Sequence, residues 1–515
     1  MNETRKLMSN TIRFLAADMV QAANSGHPGA PMGMADLMTV LSDKITHNPK
    51  NPKWLNRDRL VFSGGHASSL VYSMLYLWGY DVNLDDLKNF RKLGSHTPGH
   101  PEYGHTAGIE VTTGPLGQGF ANAVGFAAAS KYAANLLNGE TAKIINHKVW
   151  CLCGDGDLQE GISYEAASLA GHMELGNLVV LFDSNAITIE GDTSVSTSED
   201  IAKRFEAQKW RVLEVDGHNF DALDSILDKA KASDGRPTLV IVTTKMAKGA
   251  ATLEGSHHAH GAPLGAEEIK KSKEIVSFPE ESFTIPEAAL VRFRCAIEKG
   301  DLAEREWNHL VKSSPDLEKN ALLNQLSKPD FSGIIWPEFE KATATRDSNG
   351  KILNALAKSW SGFIGGSADL APSNKTELVG FGDFPNGRNI HFGIREHAMA
   401  AMTNAIALYG LFKPFCSTFF VFSDYLRPAV RVAALSKIQT FFVFTHDSIG
   451  VGEDGPTHQP VEHLASFRVM PDVLTFRPAD AYENIECWKA ALEFQGPSLF
   501  VLSRQNLPLL PKAVY

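Results

Sequence analysis

A chain of 515 residues is too long for one hydrophobic core, so two or three α/β domains are expected. Its composition is globular, 43% hydrophobic and 21% charged; a net charge of −10 without a basic block argues against a nucleic-acid partner but leaves room for anionic substrates at local Arg and His clusters. No stretch approaches the ~20 apolar residues of a membrane-spanning helix, the first ten residues show no targeting pattern, and five cysteines fit a reduced, cytoplasmic protein.

Residues 5–23 read as an amphipathic helix, with Ile12, Leu15, Met19 and Ala23 three or four apart. The helix stops at the Gly/Pro-rich segment Ser25–Pro31, so His27 falls on a loop. Asp58–Phe62 reads as a short strand that runs into Ser63-Gly64-Gly65-His66-Ala67, small residues and a histidine where open α/β sheets bind ligands. His96, His100 and His105 share another Gly/Pro-rich loop, at spacings that fit no standard zinc pattern. Thr112–Gly119 then opens a helix of small residues, which permits close backbone approach to a ligand.

Residues 149–189 carry the densest signal. Val149–Cys153 reads as a buried strand and stops at Gly154-Asp155-Gly156. A helical stretch follows with Ile162, Ala166 and Leu169 on one face, and a second strand, Leu178–Phe182, ends at Asp183-Ser184-Asn185. Both loops of such a strand–helix–strand unit leave one edge of a parallel sheet, so Asp155 and Asn185 are expected close together. A carboxylate, an amide oxygen and a backbone carbonyl such as that of Ile187 are hard ligands, suited to Mg²⁺ or Ca²⁺ with positions left for two phosphate oxygens. The two glycines let a diphosphate approach the helix start. The plain alternative is an ordinary dinucleotide-type turn with a capping Asp. Cys151 and Cys153 fall in the first strand and are expected to face opposite ways, sharing no metal.

Arg211–Val215 and Thr238–Thr243 continue the sheet, and residues 246–265 form a small-residue loop with His257, His258 and His260. A charged, mostly helical region at 266–335 holds the expected linker. A second α/β pattern follows: a helix near 349–359, then Phe363–Asn374, and a loop His391–His397 that places Glu396 at the start of an apolar helix. A buried carboxylate there needs a hydrogen-bond partner, although a helix N-terminus alone also favours Glu. Phe415–Phe420 leads to Phe422 and Tyr425; Thr440–Thr445 leads to the loop 446–460; Leu499–Leu502 ends at Ser503-Arg504.

The ordered set S-G-H-P-G-A-P-M-G-M-A-D, G-G-H-A-S, T-P-G-H-P-E, T-T-G-P-L-G-Q-G, G-D-G-x-x-x-E-G and H-G-A-P-L-G resembles the first domain of the transketolase family, and the second half resembles its pyrimidine-binding domain. The resemblance implies an α/β fold of two consecutive thiamine-diphosphate-binding domains, each a mainly parallel sheet flanked by helices. Residues 1–312 would bind diphosphate and metal, 313–337 would link, and 338–515 would bind the aminopyrimidine. The family's third, C-terminal domain is expected to be absent.

The implied reaction is reversible two-carbon ketol transfer from a ketose phosphate such as xylulose 5-phosphate to ribose 5-phosphate or erythrose 4-phosphate, in the pentose phosphate pathway. The implied cofactors are thiamine diphosphate and Mg²⁺, with Ca²⁺ able to substitute. By the same resemblance Asp155, Asn185 and the Ile187 carbonyl hold the metal, and His66, Gly156 and His260 the diphosphate. Gly114, Leu116, Asp369, Phe419, Phe422 and Tyr425 enclose the rest of the cofactor, and Glu396 bonds its pyrimidine nitrogen. His27, His100, His260 and His458 contact donor hydroxyls and move protons, and Asp454 reads the acceptor. Arg346, Ser373, His446 and Arg504 clamp the substrate phosphate. The expected assembly is a homodimer with active sites at its interface and Glu160 and Glu165 near its axis. Dihydroxyacetone synthase, 1-deoxyxylulose-5-phosphate synthase and a cofactor-binding protein without transfer activity are the competing readings; the paired phosphate clamp and the loop 446–460 favour the transketolase reading over them.

Overall fold

A computed structural model describes residues 2–140 and 142–511; residues 512–515 of the expected second domain lie outside the described residues. The chain divides into two compact units, Met1–Ala123 with Asn146–Lys312, and Val124–Ile145 with Ser313–Tyr515. Residues 124–145, expected in the first domain, therefore group with the second. The expected linker at 313–337 is not a bare connection. It holds the helix Leu317–Ser327, capped by Asp316, with Leu326 fully buried and the Gln325 carbonyl accepting from the Trp360 indole at 3.2 Å.

The first unit is built on β1 (Arg59–Phe62), β2 (Val149–Gly154), β3 (Leu178–Ser184), the two-residue strands β4 (Ile187–Thr188) and β5 (Gly191–Asp192), β6 (Arg211–Asp216) and β7 (Thr238–Thr243). The main sheet runs β1-β2-β3-β7-β6 with every pair parallel. Parallel central strands are covered on both faces, which is why β2 and β3 are apolar runs rather than alternating ones. Trp150, Leu152, Val179, Leu181 and Val240 pack with Ile12, Leu15 and Met19 of the first helix, Asn2–Ala23. Cys151 and Cys153 are two apart in β2, so the pleat puts them on the same face, not on opposite ones; both are buried, free thiols.

The second unit is built on β8 (Phe363–Ser367), β9 (Asn389–His391), β10 (Lys413–Phe419), β11 (Phe441–Thr445), β12 (Leu474–Phe476) and β13 (Ser498–Leu502). Their order is β12-β13-β11-β10-β8-β9, again all parallel. Phe363, Phe415, Phe441, Phe500 and Trp488 form its aromatic core. Gly366 is required here: a Cβ on it would lie 1.8 Å from the Ile390 carbonyl oxygen of the neighbouring strand. The strands β4, β5, β9 and β12, each two or three residues long, had no sequence signal; such short segments lack the span over which periodicity can be read.

Candidate active site

In a parallel sheet the loops that follow the strands share one edge. In the first unit these are Ser63–Ala67 after β1, Gly154–Gly156 after β2, Asn185–Ile187 after β3 and Thr244–His260 after β7. They surround a cavity of about 280 Å³ lined by His27, His66, Gly114, Leu116, Asp155, Gly156, Asn185, Ile187 and His260. Every residue expected for metal or diphosphate is among them. Gly65 makes the convergence possible: a Cβ there would sit 2.6 Å from the Gly114 nitrogen.

The Asp155 carboxylate accepts from the backbone N–H groups of Asn185 and Ala186, and Asp183 lies beside both Asp155 and Asn185. The Asn185 amide donates to Asp183 Oδ2 at 2.8 Å, its carbonyl oxygen accepts from the Ile187 N–H at 3.0 Å, and the Thr244 hydroxyl donates to Asp183 Oδ1. Burial raises the Asp155 carboxyl to about 7; the Asp183 charge adds to the rise, and the backbone N–H groups of Ala186 and Asn185 oppose it. Burial likewise raises Asp183 to about 6. Asp155 Oδ2 is buried without a hydrogen-bond partner among the described residues. Two crowded carboxylates with an orphaned oxygen beside an amide and a carbonyl form a donor set that fits a hard divalent cation.

Three imidazoles, His27, His66 and His260, line the same cavity, and His100 lies beside them. The His27 ring centroid lies 5.3 Å from His66, 5.7 Å from His260 and 6.3 Å from His100. Burial, then the neighbouring His260 and Arg91, lowers His27 to about 4; burial and the other imidazoles lower His66 to about 3. His100 and His260 are lowered too, mainly by burial. At neutral pH the cluster is uncharged and can accept and relay hydroxyl protons. His257 and His258 are exposed, and no histidine of the 96–105 or 257–260 loops belongs to a metal-like group among the described residues.

Sequence reading missed three residues here. Arg91, with left-handed backbone (φ 63°), donates to Ser25 Oγ at 3.1 Å, to the Gly99 carbonyl at 3.3 Å and to His27 Nδ1 at 3.4 Å. Fully buried Asp157 accepts from Ser63 Oγ at 2.7 Å, Gly117 N–H at 2.9 Å and Gly154 N–H at 3.0 Å, tying three cavity loops together. The His218 ring bonds Asp36 at 2.8 Å and accepts from the Lys245 N–H at 3.1 Å, anchoring the loop after β7. Only the second acid of G-D-G-D was visible as a signal, and a capping role accounts for it equally well.

In the second unit the segments that follow β8, β9, β10, β11 and β13 carry the remaining expected residues except Arg346, which lies in the first turn of the helix Thr345–Ser359 ahead of β8. Phe419 and Phe422 stack at 6.0 Å and 13°, and Phe422 and Tyr425 at 6.1 Å and 18°. This row of near-parallel rings suits a flat heterocycle. Glu396 is buried and begins the helix Glu396–Leu408. Asp369 is exposed, with left-handed backbone (φ 61°). Arg346, Ser373, Lys375, His446, Asp454, His458 and Arg504 line an open cavity of about 450 Å³. Arg346 donates to the Ser373 carbonyl at 3.0 Å, and Arg504 is paired with Glu453. Burial, then Arg346 and Arg504, lowers His446 to about 4. Lys375 had not been expected.

Residues 4–328 match the family described as "Transketolase, thiamine diphosphate binding domain", and residues 341–509 the one described as "Transketolase, pyrimidine binding domain". The transketolase of Geobacillus stearothermophilus is 50% identical over 523 residues, covering 98% of this chain and 78% of its own. The crystal structure of transketolase from Campylobacter jejuni superposes with a TM-score of 0.96 at 59% identity, over 99% of this chain and 80% of that one. Transketolase from Pichia stipitis, solved in complex with sedoheptulose 7-phosphate, gives 0.95 at 43% identity, over 98% of this chain and 78% of that one. Fold and site together define a thiamine-diphosphate-binding α/β enzyme. The chain belongs to the transketolase family. As an enzyme of that family it transfers a two-carbon ketol unit from a ketose phosphate to an aldose phosphate.

Proposed function

We propose that the two groups of loops perform this ketol transfer in the following roles. Asp155, Asn185 and the Ile187 carbonyl hold a divalent ion, Mg²⁺ or Ca²⁺, and Gly156, His66 and His260 receive the diphosphate. Gly114, Leu116, Asp369, Phe419, Phe422 and Tyr425 position the rings, and Glu396 bonds the pyrimidine nitrogen. Thiamine diphosphate, when bound, supplies the nucleophilic carbon and electron sink for cleaving a bond next to a carbonyl. His27, His100, His260 and His458 hold or move hydroxyl protons, a role supported by imidazoles that burial keeps neutral. Asp454 orients the acceptor hydroxyl, and Arg346, Ser373, His446 and Arg504 bind the phosphate.

The observation that carries this reading is the buried, unpartnered Asp155 Oδ2 in a residue that lines one cavity with Asn185 and Ile187. The substrates are sugar phosphates, with xylulose 5-phosphate as donor and ribose 5-phosphate or erythrose 4-phosphate as acceptor. The active assembly is a homodimer, each complete site drawing its first unit from one chain and its second from the partner, with Glu160 and Glu165 near the axis. The location is cytoplasmic, a reading supported by five free cysteines. The test is incubation with xylulose 5-phosphate and ribose 5-phosphate. Seven-carbon product is expected only when thiamine diphosphate and a divalent ion are both present. Turnover of pyruvate or formaldehyde instead would reassign the activity.

A further inference from the structure

His27 lines the cavity of the first unit with one ring nitrogen committed and the other free. Arg91 Nη2 lies 3.4 Å from His27 Nδ1. Every nitrogen of a guanidinium carries hydrogen and none accepts, so the imidazole nitrogen it meets is the bare one. In the neutral ring the proton then sits on Nε2. No hydrogen bond holds Nε2 among the described residues. A Cβ on Gly261, next to His260, would lie 3.5 Å from it.

Arg91 is held where it can do this. Its N–H donates to the Thr97 carbonyl at 3.0 Å, and the hydroxyl of fully buried Thr97 donates to the Asp86 carbonyl at 2.6 Å. The guanidinium also donates to Ser25 Oγ at 3.1 Å and to the Gly99 carbonyl at 3.3 Å. Gly26, between Ser25 and His27, packs so closely on the preceding Phe90 that a Cβ on it would lie 3.1 Å from that ring. Segments 25–27 and 90–91 are thereby locked together. No carboxylate pairs with Arg91 among the described residues. Its charge acts instead on the imidazoles, adding to burial in lowering both His27 and His100.

We infer that Arg91 is a positioning residue that holds His27 in the Nε2–H tautomer, so that His27 meets an oxygen of the donor sugar as a hydrogen-bond donor rather than as an acceptor. The inference rests on the ketol-transfer reading above. Wild type, Arg91→Met and Arg91→Lys are compared as thiamine-diphosphate- and Mg²⁺-loaded enzyme with xylulose 5-phosphate and ribose 5-phosphate. In ¹⁵N-histidine-labelled wild type, with the His27 signals identified by their loss in His27→Asn, Nδ1 is expected bare and Nε2 protonated at neutral pH. Arg91→Met is expected to mix the two tautomers and to lower kcat/KM for xylulose 5-phosphate about tenfold, the size of one charge-assisted hydrogen bond. It should also move the acid limb of the kcat/KM profile to higher pH, because a lost positive charge lets His27 protonate more readily. His66, His100 and His260, the other titratable groups facing His27, are the same in all three proteins. The thiamine diphosphate Kd should be unchanged, which a general loosening of the cavity would not leave so. Arg91→Lys keeps a cationic donor and is expected to recover most of kcat/KM and to return the acid limb. A wild-type His27 with its proton on Nδ1 overturns the inference, whether or not the variants fold. So does a folded Arg91→Met enzyme with the kcat/KM and acid limb of wild type. Absence of transfer by the wild type would instead overturn the ketol-transfer reading itself.

Discussion

Asp155 shows how one residue reports its function through an imbalance. Its carboxyl is raised to about 7 because burial and Asp183 penalise its charge, and one of its oxygens has no partner among the described residues. A divalent cation removes both penalties at once. Asp155→Ala is therefore expected to weaken thiamine diphosphate binding in the presence of Mg²⁺ by ~100-fold or more, measured by titration calorimetry, with little further loss when Mg²⁺ is withdrawn. The buried histidines make a separate prediction. Burial lowers His47 and His397 to about 4 and His147 to about 3. Unfolded histidines, near 6.5, bind protons that these native ones refuse. Stability contributed by the neutral forms is complete above about pH 6.5 and is lost as pH falls through about 4. The thermal midpoint should drop over that window. His47→Gln, outside the cofactor cavity, should flatten part of the drop.

At the scale of elements, the site depends on loops held together by few residues. Asp157 is the clearest case, since one carboxylate receives donors from the loops after β1 and β2 and from the start of the helix Gln118–Leu137. An Asn at 157 keeps the shape but turns one acceptor into a donor facing an N–H. Asp157→Asn is expected to cost about 2 kcal/mol of stability, read as a fall in denaturant midpoint, and to raise the thiamine diphosphate Kd more than the substrate KM. Most of the elements that carry these loops were legible. The runs Val149–Cys153, Leu178–Phe182 and Thr238–Thr243 read as strands because buried parallel strands are apolar on both faces. The turns between them were legible because Gly and Pro clusters have few other uses. Within the expected linker, read as part of a mostly helical region, the helix 317–327 buries Leu323 and Leu326, a detail that needs the packed surface to be seen.

For the whole molecule, the proposed dimer makes its own prediction. If each site takes its first unit from one chain and its second from the partner, Asp155→Ala and Glu396→Gln chains should each be inactive alone. Mixed before assembly, they should regain about a quarter of wild-type turnover, since half the dimers are hybrids and each hybrid has one intact site. No recovery on mixing would mean that one chain supplies both groups.

The motif residues themselves were written in the sequence: His27, Gly114, Asn185 and Arg504 fall on loops, His66 in a short turn, and Asp155 and Glu396 at the first position of a helix, each beside a break that short-range chemistry marks. The same is true of the class of ligand, since hard oxygen donors beside glycine-rich turns suit a metal diphosphate whatever surrounds them. What only the tertiary structure decided are the supports and the balances. The grip of Asp157 on three loops and the anchoring of the loop after β7 by His218 each depend on distances between residues far apart in the chain. A sequence states which groups are present. Burial and neighbouring charge, which set what those groups can do, exist only once the chain is packed.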